Sequence, residues 1–114
     1  MPYIHISVSR ALEESKKGQI KTEIGRLITI IPGKSEDVTM VHIEGGCTLY
    51  KGGQALKNGA FVDIRLLGEA PEQSKADLTK AFFQSFEKLL GITADDMYTN
   101  ITEMPSWGYR GNMV

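Results

Sequence analysis

The chain has 114 residues, of which 41% are apolar and 24% charged, and its net charge is −1. These values are typical of a soluble globular protein with one domain, residues 1–114, and they argue against a surface that collects nucleic acid or anionic lipid. A single cysteine, Cys47, excludes an internal disulfide. No apolar run approaches the ~18–20 residues of a membrane span and no signal peptide is visible, so we expect a cytoplasmic protein without membrane partners.

The first half of the chain, about residues 1–58, predicts a strand, a helix and a second strand. Apolar residues alternate with polar or aromatic ones over 3–8, which is the period of a strand. Between 13 and 31 the apolar spacing changes to three and four, which predicts an amphipathic helix ended by the Pro-Gly pair that follows. The segment 38–44 predicts the second strand. Glycine pairs within 45–53 predict a loop or short hairpin.

The second half, about residues 59–114, repeats this order. The segment 60–67 alternates as a strand, and Pro71 suits the first turn of a helix whose apolar stripe ends at Gly91. The segment 97–102 predicts the last strand, and a tail rich in glycine, proline and aromatic residues follows it. The chain therefore consists of two βαβ pseudo-repeats.

Two βαβ units predict an α+β, two-layer fold with one four-stranded sheet and both helices on one face. A strand–helix–strand unit favours a parallel strand pair. The other face of the sheet is half apolar, because Phe61 and Leu67 flank Asp63 and Arg65. Such a face needs a cover, and we expect an oligomer to provide it.

Pro2 stands at the head of the first predicted strand, where a missing N–H is tolerated. That structural role is one interpretation. The other follows if Met1 is removed, since a small second residue permits it and Pro2 then carries a free secondary amine. An α-amine titrates near ~7.7–8.0, and burial lowers that value. Pro2 would then be a base near neutrality, suited to removing a proton beside a carbonyl.

Three further residues are candidates for a polar pocket. Lys34 follows the predicted helix end; it is either a solvated surface charge or a cation that holds a substrate carboxylate and depresses a nearby amine pKa. Tyr98 and Asn100 are two positions apart on the last strand and therefore share a face. They either meet solvent at a sheet edge or line a small pocket together.

Other polar residues favour structural roles. His5 and His42 lie on strands without a cysteine or acidic neighbour at metal-ligand spacing, so we predict no metal site. Arg65 and Glu103 are expected to form salt bridges. The glycine pairs match no nucleotide-binding motif.

Taken together, several motifs resemble the tautomerase superfamily, in particular its macrophage migration inhibitory factor-like branch. They are the initial MP before a strand, PGKSED after the first helix, GITADDMYTNITE, and WGYRG near the end. The resemblance runs over the whole chain. It implies a homotrimer, in which the open sheet faces surround a central axis.

The resemblance also implies keto–enol tautomerisation of a 2-oxo acid such as phenylpyruvate, with no cofactor. Pro2 matches the catalytic base of the family and Lys34 matches the residue that binds the substrate carboxylate. Leu67 matches a strand-end position whose N–H and side chain help to hold the substrate.

Further site residues implied by the resemblance are aromatic or polar. Tyr98 and Asn100 match residues that a neighbouring subunit contributes. Tyr109 lies about where an aromatic side chain packs over the substrate, and Trp107 is a second candidate for that wall. The tail departs from the family pattern, because it lacks the usual terminal phenylalanine and contains an unexpected cation, Arg110.

Three alternative functions stay open at this point. A hydratase or dehalogenase of the same superfamily would act on unsaturated acids, although the arginine pair that such enzymes use is not evident. A cytokine-like trimer would need no catalysis. A ferredoxin-like ligand-binding module would not depend on the terminal amine.

Overall fold

The computed structural model describes residues 1–114. Two α-helices and eight strands follow one another along the chain. The helices are α1 (Glu14–Leu27) and α2 (Glu72–Leu90). The strands are β1 (Pro2–Val8), β2 (Met40–Glu44), β3 (Tyr50–Lys51), β4 (Gln54–Ala55), β5 (Ala60–Leu67), β6 (Met97–Met104), β7 (Gly108–Tyr109) and β8 (Asn112–Met113).

The main sheet has the strand order β2-β1-β5-β6. β1 and β2 are parallel, β5 and β6 are parallel, and the two pairs join through the antiparallel contact of β1 with β5. Each half of the chain is therefore a strand–helix–strand unit with a parallel pair, as the sequence predicted. The remaining strands form two small hairpins, β3–β4 and β7–β8.

Both helices cover the same face of this sheet. One apolar cluster combines alternate residues of β1 and β5 with the apolar stripes of α1 and α2. Ile4, Ile64 and Phe82 are fully buried in it, and the rings of Phe82 and Phe86 lie 5.9 Å apart between centroids. Burial of these side chains is the main stabilising contribution to the fold. The predicted two-layer α+β arrangement is confirmed.

The other face of the sheet is uncovered in the single chain. Large apolar side chains on it are exposed, with Met40 68%, Tyr98 58% and Phe61 36% accessible to solvent. Polar residues lie between them, including Asp63 and Arg65, which form a salt bridge. This mixed surface has the character that the sequence predicted, and its cover by other subunits stays a prediction.

Element ends differ from the prediction at three places. α1 ends at Leu27, and a 3₁₀ turn over Ile28–Ile30 follows, whose tighter winding still keeps Ile28 and Ile31 buried. A second 3₁₀ turn occupies Glu36–Val38, so β2 begins at Met40. β6 continues to Met104 because it pairs with β5 as far as Leu67.

Neither helix combines the length and the apolar character needed to cross a membrane.

Candidate active site

Pro2 is the first residue of β1, where it lies opposite Leu66 of β5. It is buried and forms part of the wall of a pocket of about 390 Å³. Trp107 and Tyr109 line the same pocket, as do Arg65 and several apolar side chains. Three of the residues predicted for the site therefore meet in one mostly apolar cavity beside the start of the chain.

Lys34 reaches this region from the loop after α1. Gly33 has φ 77°, a left-handed conformation that glycine adopts without strain, and it turns the chain there. The Lys34 ammonium donates a hydrogen bond to the backbone carbonyl of Leu67, with an Nζ–O distance of 2.9 Å. Leu67 in turn donates its N–H to the carbonyl of Met1 at 3.1 Å. Lys34 and Leu67 thus surround Met1 and do not line the Pro2 pocket itself.

The surroundings of the chain start disfavour a positive charge. Burial lowers the pKa of the Met1 α-amine, and the charge of Lys34 and a hydrogen bond from it lower that pKa further. In this structure Met1 acylates Pro2, so the Pro2 nitrogen is an amide and has no basic lone pair. The same surroundings would act on the Pro2 amine after removal of Met1.

The tail forms the β7–β8 hairpin, which brings its aromatic residues to the pocket. Its turn consists of Arg110 with φ 53° and Gly111 with φ 82°, and two positive φ values characterise a type I′ turn. The Val114 N–H donates to the carbonyl of Trp107 at 2.8 Å. The guanidinium of Arg110 lies 5.0 Å from the centroid of the Tyr109 ring, a cation–π distance.

Tyr98 and Asn100 lie near the other end of the sheet. Tyr98 is opposite Phe61 and Asn100 opposite Asp63, whereas Pro2 is opposite Leu66. Five strand positions separate Phe61 from Leu66 and three separate Asp63 from Leu66, which is about 16 Å and about 10 Å at 3.3 Å per residue, and neither Tyr98 nor Asn100 lines the Pro2 pocket. Within one chain, therefore, neither residue reaches the Pro2 pocket.

Comparison with known proteins identifies the architecture. No protein-family model and no curated protein matches the sequence. Among solved structures, Leishmania major MIF2 has a TM-score of 0.90 at 22% sequence identity, with 100% of this chain and 97% of that one covered. The chain has the macrophage migration inhibitory factor fold.

Two further structures with the migration inhibitory factor fold are similar over nearly the whole chain. The macrophage migration inhibitory factor-like protein of Entamoeba histolytica has a TM-score of 0.86 at 23% identity, covering 99% of this chain and 98% of that one. Pt0534, inactivated by 2-oxo-3-pentynoate, has a TM-score of 0.85 at 18% identity, covering 96% of this chain and 93% of that one. The fold implied by the sequence motifs is thus confirmed, and at these identities the likeness is one of fold.

Arg65 is a pocket residue that the sequence analysis did not assign to the site. It forms the predicted salt bridge, with an Nη2–Oδ2 distance of 3.2 Å to Asp63, yet it also lines the Pro2 pocket. The register of β1 against β5 explains why Arg65 reaches the pocket, because Leu66 lies opposite Pro2 and Arg65 is the residue before Leu66. Glu103 is structural as predicted: it accepts the Ala70 N–H at 2.6 Å and pairs with Lys75 at 3.3 Å.

The prediction that the two histidines have no acidic neighbour is wrong. Glu44 Oε1 lies 2.6 Å from Nε2 of His5 and 3.0 Å from Nε2 of His42. The His42–Glu44 contact joins residues two positions apart on β2, a spacing that the sequence analysis overlooked. The His5–Glu44 contact depends on the register of β1 against β2, which places His5 opposite His42. In this migration inhibitory factor fold the three side chains share the open face of the sheet.

Proposed function

We propose that the protein is a cofactor-independent keto–enol tautomerase of 2-oxo acids such as phenylpyruvate, in which the Pro2 amine is the general base after removal of Met1. The observation that carries the proposal is a buried proline on the wall of a largely apolar pocket. Burial and Lys34 lower the pKa of the amine next to it. An uncharged amine near neutral pH is the form that proton abstraction requires.

Removal of Met1 would change the site in two ways. It converts the Pro2 amide into a basic secondary amine. It also frees the Leu67 N–H, which Met1 engages at 3.1 Å, and vacates the space next to the Lys34 ammonium. An N–H donor, a cation and a base would then surround one cavity, which is a set of groups suited to a carboxylate beside an acidic C–H.

The proposed reaction follows from these groups. The substrate carboxylate binds Lys34 and the Leu67 N–H, and its apolar part lies against Trp107 and Tyr109. Neutral Pro2 removes a proton from C3, and the electron pair moves to the 2-oxo oxygen, which takes a proton from water or a phenol. The prolinium returns its proton to C3 in the reverse direction. The low polarity of the pocket strengthens each electrostatic contact.

The Pt0534 structure supports a 2-oxo acid as the ligand class. That protein is inactivated by 2-oxo-3-pentynoate, a 2-oxo acid whose triple bond is conjugated with the ketone. A nucleophile can add to this conjugated triple bond, and an uncharged amine in a 2-oxo acid site is such a nucleophile. We therefore propose the same reagent as a covalent probe of Pro2.

A homotrimer would complete the site. Tyr98 and Asn100 are exposed on β6, on the face that no helix covers, and a neighbouring subunit would bring them to the Pro2 pocket. The test is light scattering in solution, where a trimer has three times the 12.6 kDa of the chain. A monomer at assay concentrations would contradict this part of the proposal.

The first activity experiment uses protein whose intact mass shows that Met1 is absent. We expect turnover of enol phenylpyruvate, and a loss of about a hundredfold or more in kcat/KM for Pro2→Gly, because the flexible primary amine of the variant lacks the rigid ring that aims the lone pair of a general base at the substrate. Pro71→Gly, which makes the same substitution at an exposed site, is the matched control. 2-Oxo-3-pentynoate should add its mass to the peptide that begins with Pro2. Full activity of Pro2→Gly would refute the proposed base.

The second experiment removes the cation. A charge-assisted hydrogen bond contributes about 1.5–3 kcal/mol, so Lys34→Gln should raise KM about tenfold to a hundredfold. The pH profile should move as well. Lys34 lowers the pKa of the amine, so its loss raises that pKa and shifts the rise of kcat/KM to higher pH. Lys21→Gln, on the exposed side of α1, should change neither quantity.

A second candidate function is favoured by Arg65. A hydratase or dehalogenase of unsaturated acids uses arginines for the carboxylate and a protonated proline. Arg65 lines the Pro2 pocket, and the guanidinium of Arg110 stacks on the ring of Tyr109, which is another residue of the pocket wall. The lowered pKa of the chain-start amine favours the base instead. Halide release from a 3-haloacrylate without turnover of phenylpyruvate would decide for the second function.

A further inference from the structure

Three side chains with metal-binding atoms converge on the open face of the sheet. His42 and Glu44 are two positions apart on β2 and so point to the same side. His5 of β1 lies directly opposite His42 in the parallel register. Two neighbouring strands thus present two imidazoles and one carboxylate together.

The ligand atoms are already close to the spacing that a metal ion needs. Nε2 of His5 and Nε2 of His42 lie 2.6 Å and 3.0 Å from Oε1 of Glu44. One ligand atom from each residue lies within 4.8 Å of the others. Zn²⁺ bonds of about 2.0–2.2 Å in tetrahedral geometry place ligand atoms about 3.4 Å apart. Small side-chain shifts therefore suffice.

The side chains have the freedom to make these shifts. The two imidazole rings are stacked, with centroids 4.0 Å apart and planes within 6°. Rotation about the Cβ–Cγ bond, a soft torsion, turns their Nε2 lone pairs toward a common point. In the single chain the side chains of His5, His42 and Glu44 are 28%, 46% and 47% exposed, so an ion and a water ligand can reach them before any other subunit covers this face.

A fourth residue fixes the orientation of one ring. The Tyr3 hydroxyl lies 3.0 Å from Nδ1 of His42. When Nε2 binds a metal, Nδ1 carries the proton and donates a hydrogen bond to the Tyr3 oxygen. Metal-binding histidines almost always have such an outer partner, which holds the ring and raises its basicity.

We propose that His5, His42 and Glu44 form a binding site for a divalent transition-metal ion, with Zn²⁺ as the best match. Two imidazoles and a carboxylate suit this ion, and water fills the remaining position. Binding replaces the short contacts between the imidazoles and Glu44 with metal–ligand bonds. Tyr3 also lines the Pro2 pocket, so the metal site and the pocket share a wall. The proposal does not depend on the tautomerase function.

The first test uses the unmodified chain without an affinity tag, titrated with ZnCl₂ by calorimetry near neutral pH. We expect one Zn²⁺ per chain. The chain has only two histidines, and both belong to the site. Their imidazole NMR signals should therefore both shift with the first equivalent of Zn²⁺. Unchanged signals, or one ion shared among several chains, would overturn the proposal.

Variants identify the ligands. Loss of an outer hydrogen-bond partner typically weakens metal binding tenfold to hundredfold, and we expect about this effect for Tyr3→Phe. Loss of a ligand should weaken Zn²⁺ binding by more than that, in each of the variants His5→Ala, His42→Ala and Glu44→Gln. Glu69→Gln, at an exposed glutamate outside the site, should leave the affinity unchanged. Equal affinity in all variants would refute the assignment. The NMR titration of the unmodified chain decides the question even where a variant does not fold.

Discussion

Glu23 of α1 offers a prediction whose size follows from its contacts. Its carboxylate accepts two hydrogen bonds from Arg26, at 2.7 Å and 2.9 Å, and one from the Ser85 hydroxyl of α2 at 2.5 Å. The hydrogen bonds from Arg26 and then from Ser85 lower the pKa of Glu23 from 4.5 to about 2, although burial acts in the opposite direction. The ionised carboxylate therefore joins the two helices.

The expected contribution to stability is about 1 kcal/mol. At about 1.4 kcal/mol per pH unit, lowering the pKa from 4.5 to about 2 corresponds to about 3 kcal/mol. The Arg26 side chain, however, is 68% exposed. Solvent reduces such pairs to about 1 kcal/mol or less. Because the folded-state pKa is lowered, this stability is present above pH 4.5 and is lost as the pH falls through about 2.

We therefore expect Glu23→Gln to lower the free energy of unfolding by about 1 kcal/mol at neutral pH, or the melting temperature by about 4 °C. The difference from the unmodified chain should shrink as the pH falls from 4.5 toward 2. Urea unfolding followed by circular dichroism at one fixed protein concentration measures it. Glu87→Gln, an exposed glutamate of α2, is the control. A constant difference at every pH would refute the argument.

Three substitutions test the interior of α1, the end of α2 and the packing of α2. Gly18→Ala should stabilise the fold by about 0.5–1 kcal/mol, because an added Cβ meets nothing within 4 Å on α1; no gain in a urea titration would contradict this. Gly91→Ala should cost about 1–2 kcal/mol, because Gly91 ends α2 with φ 67°, and an unchanged melting temperature would exclude that strain. Phe82→Ala should lower the free energy of unfolding by about 3–5 kcal/mol, because it removes a fully buried ring. Phe83→Ala, at a partly exposed ring, should lower it by less, and equal losses in denaturant titrations would contradict the core assignment.

Most of the fold could be predicted from the sequence, because the period at which apolar residues recur matches the residues that the structure buries. Alternation over β1 and β5 predicts the faces that the structure buries, since Ile4 and Ile64 face the helices. The end of α1 was less predictable. The apolar spacing continues to Ile31 although the backbone tightens after Leu27, because burial depends on where side chains point and not on which hydrogen bonds the backbone forms.

The site was only partly predictable from the sequence. Pro2 and the aromatic tail were identified through motifs, but the tail hairpin was not, since its turn is formed by Arg110 and Gly111 rather than by the Asn-Gly pair typical of type I′. The position of Arg65 at the pocket and the approach of His5 to Glu44 depend on strand register. Register brings together residues that are 39 positions apart, such as His5 and Glu44, and local spacing carries no record of it.

The position of β1 has a practical consequence. This strand lies between β2 and β5, so the polypeptide starts in the interior of the sheet and its first residue borders the cavity. A fusion partner or label attached to the Met1 amine would lie beside that cavity. Val114 at the opposite terminus is 51% exposed, which makes it the sensible attachment point for any handle used in purification or imaging.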